Sequence, residues 1–446
     1  MKAPSASPTI PGAPVRRASS PTPRAPVALL AAILLGLLAS SSAEARQPAA
    51  EEGSAGALQA LRAALDAGRS WDEVLAAPFA RQGLGRADAA AAHDAIVAAW
   101  RARLVEERRA ELERGELRDG DLVMPFFAKA FGTKPDGGHA LWISLHGGGG
   151  APARVNDSQW ENQKRLYAPE EGIYVAPRAP TNTWNLWHEA HVDRMFHRLI
   201  ENLVIVGDVD PDRVYVLGYS AGGDGVYQLA PRMADHWAAA AMMAGHPNGV
   251  SLEPVRNVPF ALQVGALDAA YDRNRIGAEY GKALEAFRAA DAGGYRSLVK
   301  IHEGKGHWMD REDAAALPWM AAFHRDPVPE RIVWIPSAAS RRSSYWLALP
   351  EGAPASPGRI AVRREGQSIV VEDAGEADTI LVRLDDRSLD PDAPVRVVAG
   401  GRVLHEGPVP RTIHSLVRTL LDRGDPELAF PCEIEVRTGA RPVSAP

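Results

Sequence analysis

A strand-like apolar run over 214–217 ends in Gly218-Tyr219-Ser220-Ala221-Gly222-Gly223, the G-x-S-x-G spacing of a nucleophile elbow. Such a turn lifts a serine hydroxyl clear of a sheet and sets it before a helix N-terminus, whose N–H groups favour negative charge. Gly218 and Gly222 suit so tight a turn, because a Cβ at either position would strike a neighbouring element. A serine used in this way needs a base, an acid to orient the base, and donors for an oxyanion. Upstream, the apolar run 140–145 feeds into His146-Gly147-Gly148-Gly149-Gly150, a loop whose bare backbone can approach a substrate. Gly147, Gly148 and Ala221 are the expected oxyanion donors. Downstream, Asp268 follows the apolar run 259–264, and His307 lies in a Gly-bearing loop after the run 297–301. The order Ser220, Asp268, His307, each just past a strand-like run, suits acyl transfer to water through an acyl-enzyme.

Two of these positions have competitors. His302 stands nearer its strand than His307 and could be a buried structural imidazole, whereas the flanking Gly306 and the loop position favour His307. Asp272 competes with Asp268, which is closer to its strand, and Asp310 is too near His307 in sequence to orient it. His146 precedes Ser220, the wrong order for a base, and reads as an anchor of its own loop beside the cleft. A polar cluster over 182–197 holds Trp184, Trp187, His188, His191, Asp193 and His197. Its spacing is H-E-x-H rather than H-E-x-x-H, so His188 and His191 would not share the helical face that zincin-type metal binding requires. Trp184, Trp187 and His188, with His146 and Tyr219, are therefore candidates for a substrate cleft, the tryptophans reading equally well as core. Asp224 complements the positive end of the helix after the elbow. This chemistry needs no metal and no organic cofactor.

The elements that would position these groups follow from periodicity. From 120 to 327, the runs 140–145, 172–176, 213–217, 259–264 and 297–301 alternate with helical patterns. Strands apolar on both faces, alternating with helices, indicate a doubly wound α/β fold with a mostly parallel sheet. Residues 46–119 read as a helical N-terminal segment, with Leu58, Leu61 and Leu65 at helical spacing and a capping box at Ser70-Trp71-Asp72-Glu73 after a Gly68 stop. Residues 328–446 are dense in short strand patterns, with a hairpin turn at Ala399-Gly400-Gly401 and one helix over 413–421. They read as a small β-sandwich-like accessory domain.

At 446 residues, 46% hydrophobic and 24% charged, the chain is long enough for two or three domains. A net charge of −6 without a Lys/Arg stripe argues against nucleic acid as a partner. Arg16, Arg17 and Arg24 precede an apolar run over 27–38 and an A-x-A ending at Ala43-Glu44-Ala45, the form of a signal peptide over 1–45 cleaved after Ala45. The run is shorter than the ~20 residues of a membrane span, so a periplasmic or secreted protein, without stable membrane insertion after cleavage, is expected. Cys432 is the only cysteine, so the core alone must hold the fold.

Together, the segments 146–150, 218–223, 265–268 and 306–307 resemble the α/β-hydrolase superfamily. Ser220-Ala221-Gly222-Gly223 is similar to the secreted esterase branch around polyhydroxybutyrate depolymerases, feruloyl and acetyl xylan esterases and dienelactone-hydrolase-like enzymes. The resemblance covers 120–327 and implies an exported serine hydrolase of small-molecule or polymer-linked carboxylic esters. A prolyl-oligopeptidase-like serine peptidase is the first alternative, and a non-catalytic carbohydrate-binding protein the second. The N-terminal segment is too short and too helical for the propeller that usually accompanies such a peptidase.

Overall fold

Alternate residues of the central strands bury against two different cores. Leu141, Ile143, Val214 and Val216 enter one hydrophobic cluster, while Ala140, Trp142, Tyr215 and Leu217 enter another on the opposite face. A sheet covered on both sides requires this period-two split. The computed structural model describes residues 47–439; the apolar run 27–38 and the cleavage position after Ala45 lie outside them. Among the described residues no helix is long and apolar enough to cross a membrane.

The chain begins with helices α1 (Gln47–Asp66), α2 (Trp71–Ala76) and α3 (Arg86–Arg114). Gly68, at φ +67°, follows the first, and Ser70 caps the second: its hydroxyl accepts from the Glu73 N–H, while the Glu73 carboxylate accepts from the Ser70 N–H at 2.7 Å. Then come β1 (Glu116–Asp119), β2 (Leu122–Phe131), β3 (His139–Leu145), α4 (Ala153–Gln163), β4 (Gly172–Pro177), α5 (Ala190–Val206), β5 (Val209–Tyr219), α6 (Ala221–Arg232), β6 (Ala239–Met243), β7 (Phe260–Gly265), α7 (Arg273–Ala290), β8 (Ser297–His302) and α8 (Ala316–Met320). The eight strands form one sheet in the order β1-β2-β4-β3-β5-β6-β7-β8. The first two strands run antiparallel to each other, and β3 to β8 are mutually parallel. This is the α/β-hydrolase fold. β1 joins the sheet from within the stretch that sequence assigns to helices, because Gly120 and Asp121 turn it back antiparallel onto β2.

The register aligns the ends that matter. Leu145 of β3 pairs with Gly218 of β5, and Gly265 of β7 pairs with His302 of β8. The loops after these strands therefore open on one edge of the sheet. The chain lays β4 beside β3 and then crosses back to place β5 on the other side, so the strand order reverses at β3 and β5, where doubly wound sheets gather their ligands.

Beyond residue 328 lie β9 (Arg331–Trp334), β10 (Ser343–Ser344), β11 (Leu347–Ala348), β12 (Ile360–Glu365), β13 (Ser368–Asp373), β14 (Thr379–Leu384), β15 (Val395–Ala399), β16 (Arg402–Gly407), α9 (Ile413–Arg423) and β17 (Cys432–Arg437). They make a four-stranded sheet, β10-β11-β14-β17, and a five-stranded sheet, β16-β15-β13-β12-β9. Ile360, Val362 and Ile369 from one sheet share a core with Ile380, Val382 and Ile434 from the other. That core is continuous with the helical side of the central sheet through Trp334, Tyr345 and Trp346.

Helix α9 does not stay with these strands. Its Ile413, Leu416, Val417 and Leu420 pack with Leu58, Leu61, Ile96 and Trp100 of α1 and α3 and with Ile205 of α5. A buried ion pair ties the same helix to the turn after α6. Arg423 at the end of α9 meets Asp235, which also accepts from the Tyr345 N–H at 3.0 Å. Burial opposes ionisation of Asp235, yet Arg423 and His236 hold its carboxylate below the usual range.

Candidate active site

Ser220 sits at the tip of the β5–α6 turn with φ +59° and ψ −121°, a conformation that costs a non-glycine residue on the order of 1–3 kcal/mol. The turn is held from both sides: the Ser220 N–H donates to the Met243 carbonyl at 2.9 Å, and the Asp224 N–H donates to the Ser220 carbonyl at 3.0 Å. Asp224 itself accepts from the His246 N–H at 2.6 Å, tying the loop after β6 to the helix that starts at Ser220.

The loops after β7 and β8 bring two further groups to this hydroxyl. His307 Nε2 lies 3.0 Å from Ser220 Oγ, and His307 Nδ1 lies 2.8 Å from Asp268 Oδ2. The Asp268 side chain is buried, 1% exposed, while His307 is 44% exposed and opens to solvent. The hydrogen-bonded line thus runs from a shielded carboxylate to an accessible hydroxyl. The two competitors lie elsewhere. His302 is buried between Gln263 Oε1 at 2.6 Å and Glu312 Oε2 at 3.2 Å, and Asp272 pairs with Arg275 in solvent at 2.6 Å.

Tyr219, the residue before Ser220, reaches across to the histidine loop. Its hydroxyl donates to the His307 carbonyl at 2.5 Å and accepts from the Met309 N–H at 3.1 Å, and its ring meets Trp308 at 5.6 Å between centroids. One side chain of the elbow therefore fixes the His307 carbonyl and the N–H two residues beyond it. Tyr219→Phe removes that tether without leaving a hole. It is expected to lower kcat by about 10- to 100-fold with KM little changed, since two such bonds are worth roughly 1–3 kcal/mol. Steady-state kinetics beside a thermal melt of the variant checks this. A changed KM with intact kcat would assign Tyr219 to binding instead.

The glycine loop after β3 is shaped by His146, which is fully buried. The Ala179 N–H donates to His146 Nε2 at 3.1 Å, so the proton is on Nδ1, which donates to the Gly147 carbonyl at 2.6 Å. In a trans peptide the Gly148 N–H must then point the opposite way. Gly148 has φ +112°, and a Cβ there would fall 2.2 Å from Asn156 Oδ1. That same oxygen takes the Gly149 N–H at 2.8 Å, which removes Gly149 as a donor to substrate. Gly147, Gly148 and Ser220 line a common cleft, and Ala221 opens the helix behind the serine.

Burial pushes His146 down to about 4. The imidazole is thus neutral in the fold but titrates near 6.5 once unfolded, so the unfolded state binds the extra proton between these values. Stability owed to His146 is complete above pH 6.5 and is lost as pH falls towards 4. Relative to His146→Gln, the wild-type protein is expected to lose about 2 kcal/mol of unfolding free energy between pH 7 and pH 5, measured by denaturant titration. A constant difference across that range would exclude this linkage.

The cleft, about 630 Å³, contradicts part of the sequence expectation. Of the proposed cleft residues only Tyr219 lines it. His146 and Trp187 belong to the core: the indole N–H of Trp187 donates to the His146 carbonyl at 2.9 Å, which satisfies its one polar group and lets it bury. Trp184 is 63% exposed and packs over Gly150 rather than into the cleft. His188 stacks edge-on against Trp184 and is pushed down to about 4 by burial and the nearby Arg232. Asp193, of the same polar cluster, pairs with Arg232. The walls come instead from α4 and the turn after it, Gln159, Asn162, Arg165 and Leu166, and from Trp308 and Arg311 beyond the histidine. No motif marks 153–166, but Val155, Gln159 and Asn162 share one helical face, a spacing visible in the sequence.

No family model matches the chain, and no curated protein sequence matches it. Among solved structures it is similar to a thermostable esterase, at 18% identity and a TM-score of 0.35, over 47% of this chain and 62% of that one. It is also similar to a poly(3-hydroxybutyrate) depolymerase from Bordetella parapertussis, at 15% identity and a TM-score of 0.35, covering 47% and 87%. A feruloyl esterase module from Clostridium thermocellum is similar at 14% identity and a TM-score of 0.32, covering 45% and 83%. The likeness spans less than half of this chain in each case.

Proposed function

We propose that this protein is an exported serine hydrolase that cleaves carboxylic esters, with Ser220 as nucleophile, His307 as general base and acid, and Asp268 as the acid that orients the imidazole. The observation that carries the reading is the unbroken line of hydrogen bonds from Asp268 through His307 to Ser220 Oγ, ending in an open cleft. As the hydroxyl adds to the acyl carbon, His307 Nε2 takes its proton, and the buried Asp268 carboxylate stabilises the imidazolium. The N–H groups of Gly148 and Ala221, with Gly147 beside them, would receive the oxyanion, each such donor contributing on the order of 10²-fold or more to turnover. His307 then protonates the departing alcohol, and water repeats the sequence on the acyl-enzyme. Every step uses side chains and backbone of this chain.

Export rests on the basic residues, apolar run and A-x-A ending over residues 1–45, and gives a periplasmic or secreted protein. Hydrolysis of p-nitrophenyl acetate by the mature protein, beside labelling of Ser220 by phenylmethylsulfonyl fluoride read by mass spectrometry, tests the reaction class. Turnover with a single label on Ser220 supports it. Absence of both, with the fold intact, would reject it, and cleavage confined to amide substrates would move the assignment to a peptidase.

A further inference from the structure

The cleft beside Ser220 carries charge of one sign. Arg165, two residues past α4, and Arg311, in the loop after His307, both line it, and among the described residues no carboxylate does. Arg311 donates to the Leu166 carbonyl at 2.8 Å, which brings it to the turn that bears Arg165. The acids flanking this rim are already matched to other cations: Asp157 to Arg178, Glu161 to Lys164, and Asp310 and Glu312 to Lys305. Asp268 behind the wall is turned to His307, and its second oxygen faces Arg273 at 3.9 Å. An anion entering the cleft therefore meets two guanidinium groups and no repelling carboxylate, in a chain whose net charge is −6. The amides of Gln159 and Asn162 stand in the same wall, beside Val155, Leu166 and Trp308, which leaves the two guanidinium groups to tell a charged ester from a neutral one.

We propose that the substrates are esters carrying a carboxylate on their acyl or alcohol part, and that Arg165 and Arg311 select them. The inference rests on the ester-hydrolase reading. Guanidinium groups suit a carboxylate because their paired N–H donors match its two oxygens. The reaction stays a simple hydrolysis: water adds to the acyl carbon, the C–O bond to the alcohol breaks, and no electrons leave the substrate.

The test compares kcat/KM for p-nitrophenyl hemisuccinate against p-nitrophenyl butyrate, where the charge sits on the acyl side, and for 4-acetoxybenzoate against its methyl ester, where it sits on the alcohol side. Wild type, Arg165→Gln/Arg311→Gln and Arg165→Lys/Arg311→Lys are measured. In one of the two pairs the anionic-to-neutral ratio is expected to fall by roughly tenfold or more in the Gln double variant, to return in part in the Lys variant, and to weaken with salt. The pair that responds identifies the side. Ratios within about twofold of wild type in both pairs would overturn the proposal, that margin being below what one charge-assisted hydrogen bond contributes. Should wild type cleave none of the four esters, the ester-hydrolase reading fails, and the arginines are then judged by calorimetric titration of succinate and benzoate into Ser220→Ala. Binding that disappears with the two arginines supports the anion site, and no binding overturns it.

Discussion

Replacing Ser220 by Ala is expected to lower ester turnover by roughly 10⁴-fold or more while leaving the melting temperature near that of wild type. The hydroxyl is the only atom lost, and the turn that holds it is made by backbone bonds to Met243 and Asp224 that Ala retains. His307→Ala should have a similar effect, because without the imidazole the hydroxyl keeps its proton as it attacks. The informative variant is the double one. If Ser220 and His307 act in a single step, removing both costs hardly more than removing either. Losses that multiply would show that the two groups contribute independently, and would contradict the shared role inferred from their 3.0 Å contact. Single-turnover measurements on a p-nitrophenyl ester give all four rates on one scale.

The second large effect concerns the fold of the elbow. A Cβ on Gly222 would lie 2.1 Å from the Leu145 carbonyl oxygen and 2.6 Å from its carbon, both backbone atoms of β3. No rotamer relieves such a clash, so either α6 must leave the sheet or β3 must shift. Gly222→Ala is expected to destabilise the protein by about 4 kcal/mol or more, at the far end of single-substitution effects, and to abolish activity with it. Gly306→Ala is the control from the same site. It adds the same methyl group beside His307, where nothing lies within 4 Å and φ is not positive, and should leave folding near wild type. Chemical denaturation of both variants decides. A Gly222→Ala protein as stable as wild type would mean that the turn has far more slack than its contacts indicate.

The central sheet was readable because its strands are apolar on both faces, a pattern few other architectures produce. The meeting of Ser220, Asp268 and His307 was readable for a related reason: each closely follows a parallel strand, and parallel strands deliver their following loops to one edge. The cleft walls were not. Arg165 and Arg311 lie 146 positions apart by the difference of their numbers, the first in a segment with no catalytic motif, and only the fold sets them side by side. Trp184 and Trp187 show the limit most plainly. They are three residues apart in one polar stretch, yet Trp187 finds a carbonyl acceptor and buries, while Trp184 stays in solvent. Their composition is identical, and the partner that separates them, the His146 carbonyl, lies far away in the chain.

The junction of α9 with α1, α3 and α5 makes assembly and synthesis run against each other. Asp235 meets Arg423 across 188 positions, and His93 reaches the Pro426 carbonyl across 333. At roughly 5–20 residues per second on the ribosome, the apolar faces of α1 and α3 wait tens of seconds for the helix that covers them. The helical cluster over α1, α3 and α5 is completed only once α9 has emerged, and non-local closure of this kind is slow in its own right.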